Sequence, residues 1–180
     1  MLIDRLGWLE NCLIIPSPNA EDRPLEGDIS LVVIHAISLP PQCFGGPFIT
    51  ALFTNAIDPA CHPAFCDIAA LRVSSHLLIR RDGALVQYVS FLRKAWHAGV
   101  SCWSGRERCN DFSIGIELEG SDLQDFSAVQ YQVLNDVLQQ IYLSYSITDV
   151  CGHADIAPGR KTDPGPHFQW TKVLSLKNFK

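Results

Sequence analysis

Apolar residues along this chain fall into short runs and one long periodic stretch. Runs at Leu31–His35, Ser75–Ile79, Leu85–Val89 and Ser113–Leu118 predict strands, with a weaker one over Ile147–Cys151. Arg81-Asp82-Gly83 separates the second from the third, and its Asp-Gly step supplies positive-φ turn geometry, so these two should form a hairpin. From Ala128 to about Leu143 the period changes. Val129, Val133, Val137 and Ile141 recur every four residues, with Leu134 and Leu138 widening the stripe, which predicts a helix with one apolar face against a sheet. Ser127, followed three residues later by Gln130, reads as the capping box that starts it. A shorter helix is expected from Pro47 to about Asn55, with Pro47 at its first position. Strands and helices intermixed, with a hairpin among them, predict an α/β fold built on a central mixed β-sheet flanked by helices. Pro and Gly gather in loops, no linker or repeat divides the sequence, and one domain over residues 1–180 is expected.

Composition narrows the function classes. A chain of 180 residues, 47% hydrophobic and 18% charged, can bury a core without disulfides or a structural metal. Its 14 Lys+Arg against 19 Asp+Glu give a formal charge of −5, which offers no cationic footprint for nucleic acid. No stretch approaches the roughly 20 apolar residues of a membrane span. The seven cysteines are odd in number, with no C-x-x-C pair, and Met1–Pro16 holds no apolar secretory core. Reduced thiols, most of them buried, in a cytoplasmic protein are expected.

Chemistry can be sought among six histidines. His35 ends an apolar strand, where a side chain projects into a cleft at the sheet edge. His153 follows a weak strand through Gly152, and Asp163 sits within Pro158-Gly159-Arg160-Lys161-Thr162-Asp163-Pro164-Gly165-Pro166. Two imidazoles and one carboxylate compose a zinc site with an open fourth position. Prolines restrict that loop, and an extended segment would point Lys161 and Asp163 to one side. The residues alone leave this open, because the histidines are far apart in sequence and could serve as surface or packed groups. Glu117 falls between Ile116 and Leu118 on the opposite side of a central strand. It is either an outward-facing ion-pair residue or a carboxylate kept for use. Glu119 reads more readily as an ion-pair residue.

Longer blocks resolve the choice. Val33-Ile34-His35, Phe44-Gly45-Gly46, Ser75-His76 with Ile79-Arg80-Arg81-Asp82-Gly83, Ala95-Trp96-His97-Ala98-Gly99, Arg106 to Gly120, and Gly152 to Gly165 occur in order. Together they resemble the anhydromuramyl-L-alanine amidases of peptidoglycan recycling. These belong to the zinc N-acetylmuramoyl-L-alanine amidase family, which shares its fold with T7-type lysozyme and peptidoglycan recognition proteins. The similarity runs from about Leu2 to Trp170. It implies Zn2+ held by His35, His153 and Asp163, with Glu117 as catalytic acid and base and Lys161 beside it. Arg72, Trp96, Arg108 and Ala157 fall at positions that resemble substrate contacts. The implied partner is a small-molecule anhydromuropeptide, with no nucleic acid or membrane, and a monomer is expected. One departure stands out: the family pattern usually places Asn after the first zinc histidine, where this chain has Ala36, which lacks an amide to grip a peptide or lactyl oxygen.

The resemblance further implies hydrolysis of the amide between the lactyl group of anhydro-N-acetylmuramic acid and L-Ala. Arg72, Arg108 and Lys161 would make the cleft locally positive against a −5 protein, and Trp96 is either a platform for a sugar ring or a packed core residue. Three rivals are weaker. A non-catalytic recognition module typically loses a metal ligand, a zinc peptidase is disfavoured by the resemblance itself, and a phage-type lytic amidase by the length of the blocks.

Overall fold

The computed structural model describes residues 1–175. Strands run at Leu13–Ile14 (β1), Ala20–Asp22 (β2), Leu31–Ile37 (β3), Leu77–Ile79 (β4), Leu85–Gln87 (β5), Arg93–Ala95 (β6), Cys102–Trp103 (β7), Arg106–Glu107 (β8), Ser113–Glu119 (β9) and Asp149–Gly152 (β10). Helices occupy Phe48–Phe53 (α1), Ala128–Ser144 (α2) and His153–Ile156 (α3). Six strands form one mixed sheet in the order β1-β5-β4-β9-β3-β10, parallel except for the β4–β5 hairpin. The expected α/β fold is therefore present, and β2–β6 and β7–β8 add two small antiparallel ribbons.

Alternation along the central strands divides the sheet into two unlike faces. On one, Val32, Ile34, Ile114, Ile116 and Leu118 pack beneath α2 through Leu134, Val137, Leu138 and Ile141. On the other, Leu31 and Val33 join Cys109, Phe112, Cys151 and Ile156, while Leu78 and Val86 join α1 and Phe65. Between these clusters, at the carboxyl ends of the parallel strands, His35 stands in register with Glu117, which is itself paired with Leu78. Register partners on parallel strands share a face, so the two polar side chains are neighbours by construction.

Local sequence explains most boundaries. Ser127 accepts from the Gln130 N–H at 3.2 Å while Gln130 Oε1 accepts from the Ser127 N–H at 3.0 Å, the reciprocal cap expected. Gln130 Nε2 then donates to the carbonyls of Ile79 and Glu119, tying the helix to the sheet. Leu134, Val137, Leu138 and Ile141 of the expected apolar stripe are buried; at its start Tyr131 is buried as well, whereas Val129 is exposed. Val129 and Val133 instead flank the hairpin turn, where Gly83 alone takes a positive φ, +86°. Pro47 caps α1 rather than opening its first turn. Strand β4 begins only at Leu77, because Ser75 and His76 turn their side chains onto the backbone of Gly115. One arginine binds several loops: the buried Arg23 guanidinium donates to the carbonyls of Phe91, Asn110, Asp111 and Ser113.

The cysteine expectation is corrected in part. All seven are free, but only Cys109 and Cys151 are buried, and Cys43, Cys61, Cys66 and Cys102 are exposed. Three of these four lie outside strands and α-helices and the fourth sits in a two-residue ribbon strand, none in the sheet core where a thiol packs as a small hydrophobe. Among the described residues no helix is long and apolar enough to cross a membrane.

Candidate active site

Three ligand-type atoms converge at the carboxyl end of the sheet. His35 Nδ1 lies 3.0 Å from His153 Nδ1, and Asp163 Oδ2 lies 3.1 Å from each. His35 comes from the end of β3 and His153 opens α3 directly after β10. Asp163 follows in the next loop, whose carbonyl accepts from the Ala154 N–H at 2.9 Å. Gly152 permits this closeness, since a Cβ there would stand 2.7 Å from Pro164 Cδ. Ligands about 2.0–2.1 Å from one tetrahedral zinc would lie roughly 3.3 Å apart. Three acceptor-type atoms at nearly that spacing repel each other unless a cation or proton joins them. The residues therefore fit a zinc ion, and the two-histidine, one-carboxylate set leaves a fourth position free for chemistry.

A cleft of about 230 Å³ opens over this triangle, lined also by Ala36, Trp96, His97, Glu117 and Lys161. Glu117 is buried, and its Oε2 has no hydrogen-bond partner. Burial, reinforced by the nearby Asp163 carboxylate and opposed by Lys161, pushes its pKa well above the usual carboxylate value. Burial would likewise raise Asp163, but hydrogen bonds with His153 and His35 pull it well below the ordinary range. Burial lowers His35 to about 4 against the opposing effect of Asp163, so its imidazole is neutral at pH 7. Glu119, by contrast, is the ion-pair residue expected: it accepts from Arg80 Nη1 at 3.1 Å and from the Gly45 and Arg81 N–H groups.

The expected substrate residues separate into two groups. Arg72 and Trp96 line a recess of about 200 Å³ adjoining the cleft, together with Asn110, Arg160 and Lys161. Trp96 is half-buried and lines both the recess and the metal cleft. Arg108 and Ala157 instead line a third pocket of about 530 Å³, outside the metal cleft, with Gly99 and Arg160 shared between the two recesses. Arg108 pairs with Asp111 at 3.1 Å. Sequence reasoning singled out neither Asn110 nor Arg160. Both sit inside the quoted blocks, yet neither has a neighbour in sequence that would mark its reach: Asn110 Oδ1 accepts from the His97 and Ala98 N–H groups, and Arg160 Nη2 donates to the Ala98 and Val100 carbonyls.

With fold and geometry in hand, comparison with known proteins gives the class. The chain belongs to the N-acetylmuramoyl-L-alanine amidase family, whose model matches residues 25–166, and is accordingly a hydrolase of a C–N amide bond. Among its relatives is the 1,6-anhydro-N-acetylmuramyl-L-alanine amidase AmpD of Salmonella typhimurium strain SL1344, 57% identical over 178 residues, which cover 98% of this chain and 95% of that protein. A crystal structure of a selenomethionine AmpD derivative superposes with a TM-score of 0.93 at 56% identity, covering 96% of this chain and 97% of that one. The amidase AmiD from Escherichia coli was solved in complex with the substrate anhydro-N-acetylmuramic acid-L-Ala-D-gamma-Glu-L-Lys. It aligns with a TM-score of 0.62 and 32% identity, over 84% of this chain and 58% of that chain.

Proposed function

We propose that this protein is a zinc-dependent 1,6-anhydro-N-acetylmuramyl-L-alanine amidase of cytoplasmic peptidoglycan recycling, acting as a monomer with residues 1–180 as one amidase domain. The observation that carries this reading is the convergence of His35, His153 and Asp163 beside the unpartnered carboxyl of Glu117. The substrate assignment is supported by the high-identity AmpD relative and by the muropeptide bound to AmiD.

His35, His153 and Asp163 would hold a zinc ion, which would supply Lewis acidity and bring the pKa of water from about 15.7 toward about 7. Glu117 accepts a proton from the attacking water as the new C–O bond forms at the lactyl carbonyl. It returns that proton to the L-Ala nitrogen as the C–N bond breaks, so the amine leaves neutral and the carboxyl is restored. Lys161, in the cleft wall, offers its ammonium to the oxygen on which negative charge develops. Trp96 presents a face to a sugar ring, and Arg72 with Arg108 and the Ala157 region meets the carboxylates and backbone of the stem peptide.

Incubating the protein with anhydromuropeptide, with and without a chelator, and following stem-peptide release by mass spectrometry tests the reading. Release that stops on chelation and returns with zinc is expected. No release from zinc-loaded protein would end the enzyme assignment, and release indifferent to chelation would end the metal mechanism.

A further inference from the structure

Behind the two histidines of the site lies a set of buried polar groups whose hydrogen-bond directions can be read in sequence, because a hydroxyl has a single proton. Ser113 Oγ is 2.6 Å from the Cys109 carbonyl, which can only accept, so Ser113 donates there. His97 Nε2 lies 3.1 Å from the same oxygen, which must now accept, so His97 carries its hydrogen on Nε2. A neutral His97 then has a bare Nδ1, and it accepts from His35 Nε2 at 2.9 Å. His35 is left with a lone pair on Nδ1, the atom that faces Asp163 and His153. The second histidine follows the same logic. His153 Nε2 is 3.3 Å from the Ala98 carbonyl, which only accepts, and this too leaves Nδ1 bare.

One dipeptide thus serves both histidines, through a side chain at 97 and a carbonyl at 98. Asn110 Oδ1 fixes its path by accepting from the His97 N–H at 3.1 Å and the Ala98 N–H at 2.8 Å. Arg160 Nη2 donates to the Ala98 carbonyl at 2.8 Å. The His97 ring rests on the backbone of β9 at Gly115, where an added Cβ would stand 2.5 Å from the ring.

We propose that the His97–Ala98 segment, held by Ser113 and Asn110, is a positioning device that sets both ligand histidines in the Nε2–H tautomer and presents their Nδ1 lone pairs to a single cation. It rests on the zinc reading of the His35–His153–Asp163 cluster given above. Outer partners of ligand histidines typically change metal affinity about 10–100-fold.

The test joins two measurements on protein labelled with 15N-histidine: tautomers from long-range 1H–15N correlation in the metal-free and zinc-loaded states, and zinc affinity from competition with a chromophoric chelator. Hydrogens on Nε2 of His35, His97 and His153 are expected in the zinc-loaded wild type, and His97 should keep its own in the metal-free protein. His97→Leu should weaken zinc binding by about 10–100-fold. His97→Asn, whose amide oxygen can accept from His35, should recover most of that loss. Ser113→Ala should let His97 populate its Nδ1–H form and weaken zinc about tenfold. A hydrogen on Nδ1 of His97 in either state, or a bare Nε2 on His35 or His153 in the zinc-loaded wild type, would overturn the proposal, as would equal zinc affinity for His97→Leu and His97→Asn. Should His97→Leu not fold, an unchanged His97 tautomer and zinc affinity in Ser113→Ala would overturn it instead. Wild-type protein that bound no zinc would end the metal reading itself, while its tautomer spectrum would still decide the hydrogen-bond chain.

Discussion

Ile116 and Glu117 are adjacent on one strand and share its burial, yet they face different worlds. Ile116 points under α2 into a cluster of packed aliphatic and aromatic side chains. Glu117 points the other way, toward His35 and the cleft, with an oxygen that no protein group satisfies. On the first face the side chains find their complement in one another, which is what stability requires. On the second, groups are left wanting a cation, a proton or a substrate, which is what reactivity requires. A single strand delivers both, because alternate residues are separated by the thickness of the sheet.

The largest break in that comparison should come from Glu117→Gln. Turnover of anhydromuropeptide is expected to fall about 10³-fold, roughly 4 kcal/mol, with zinc affinity within a few-fold of wild type. Its metal-free form should melt higher than the wild type by calorimetry. The folded-state pKa of Glu117 is raised, so its contribution favours folding below the unfolded value and is lost as pH rises through the folded one. A normal rate would remove Glu117 from the chemistry. The mirror experiment is Ile116→Ala, expected to cost about 3 kcal/mol in urea unfolding while turnover per folded molecule changes little. An equal loss of turnover would mean that the two faces are coupled.

A smaller effect concerns His76, buried beneath the site with Nδ1 accepting from the Gly115 N–H and Nε2 near the Arg93 carbonyl. Burial, helped by the Arg23 charge, lowers its pKa to about 3. The unfolded chain, with a value near 6.5, therefore takes the proton first. Stability present above pH 6.5 is lost as pH falls toward 3, at about 1.4 kcal/mol per unit. Between pH 6.5 and 5, metal-free wild type should lose about 2 kcal/mol more than His76→Gln in urea unfolding. Parallel losses would show that His76 is not held neutral. Smallest, Ser127→Ala should cost about 1 kcal/mol of stability and leave zinc affinity and turnover untouched, since its cap lies on the packed face.

The packed face was the more legible of the two. Period-four apolar residues announced α2, and a Ser and a Gln three apart marked its start, because both signals are local. Even there one position of the stripe differs, since Val129 is as apolar as Val137 and only the hairpin at Gly83 shows which of them meets solvent. On the site face, His35 and Glu117 could be singled out individually as polar residues in apolar strands, but their pairing is a matter of register between distant segments. The convergence of His153 and Asp163 on His35 was carried by resemblance, not by spacing. His76 and His97 stand in blocks that carry the resemblance, unlike His62, but those blocks do not say what either ring holds. The roles of His97, Asn110 and Ser113 exist only as hydrogen bonds across the fold, and the division of Arg72 and Trp96 from Arg108 and Ala157 depends on how loops enclose separate recesses.

The Arg23 guanidinium carries a different lesson. It gathers carbonyls from Phe91, Asn110, Asp111 and Ser113, and it stands just outside the span 25–166 that bears the family pattern. A fragment trimmed to that span would keep every ligand and catalytic group and lose the donor beneath them. Buried groups left unpaired cost about 1–3 kcal/mol each, against a total stability of about 5–15 kcal/mol for a typical domain. The stretch that the family model matches therefore leaves out a cation on which the ground beneath its own ligands depends.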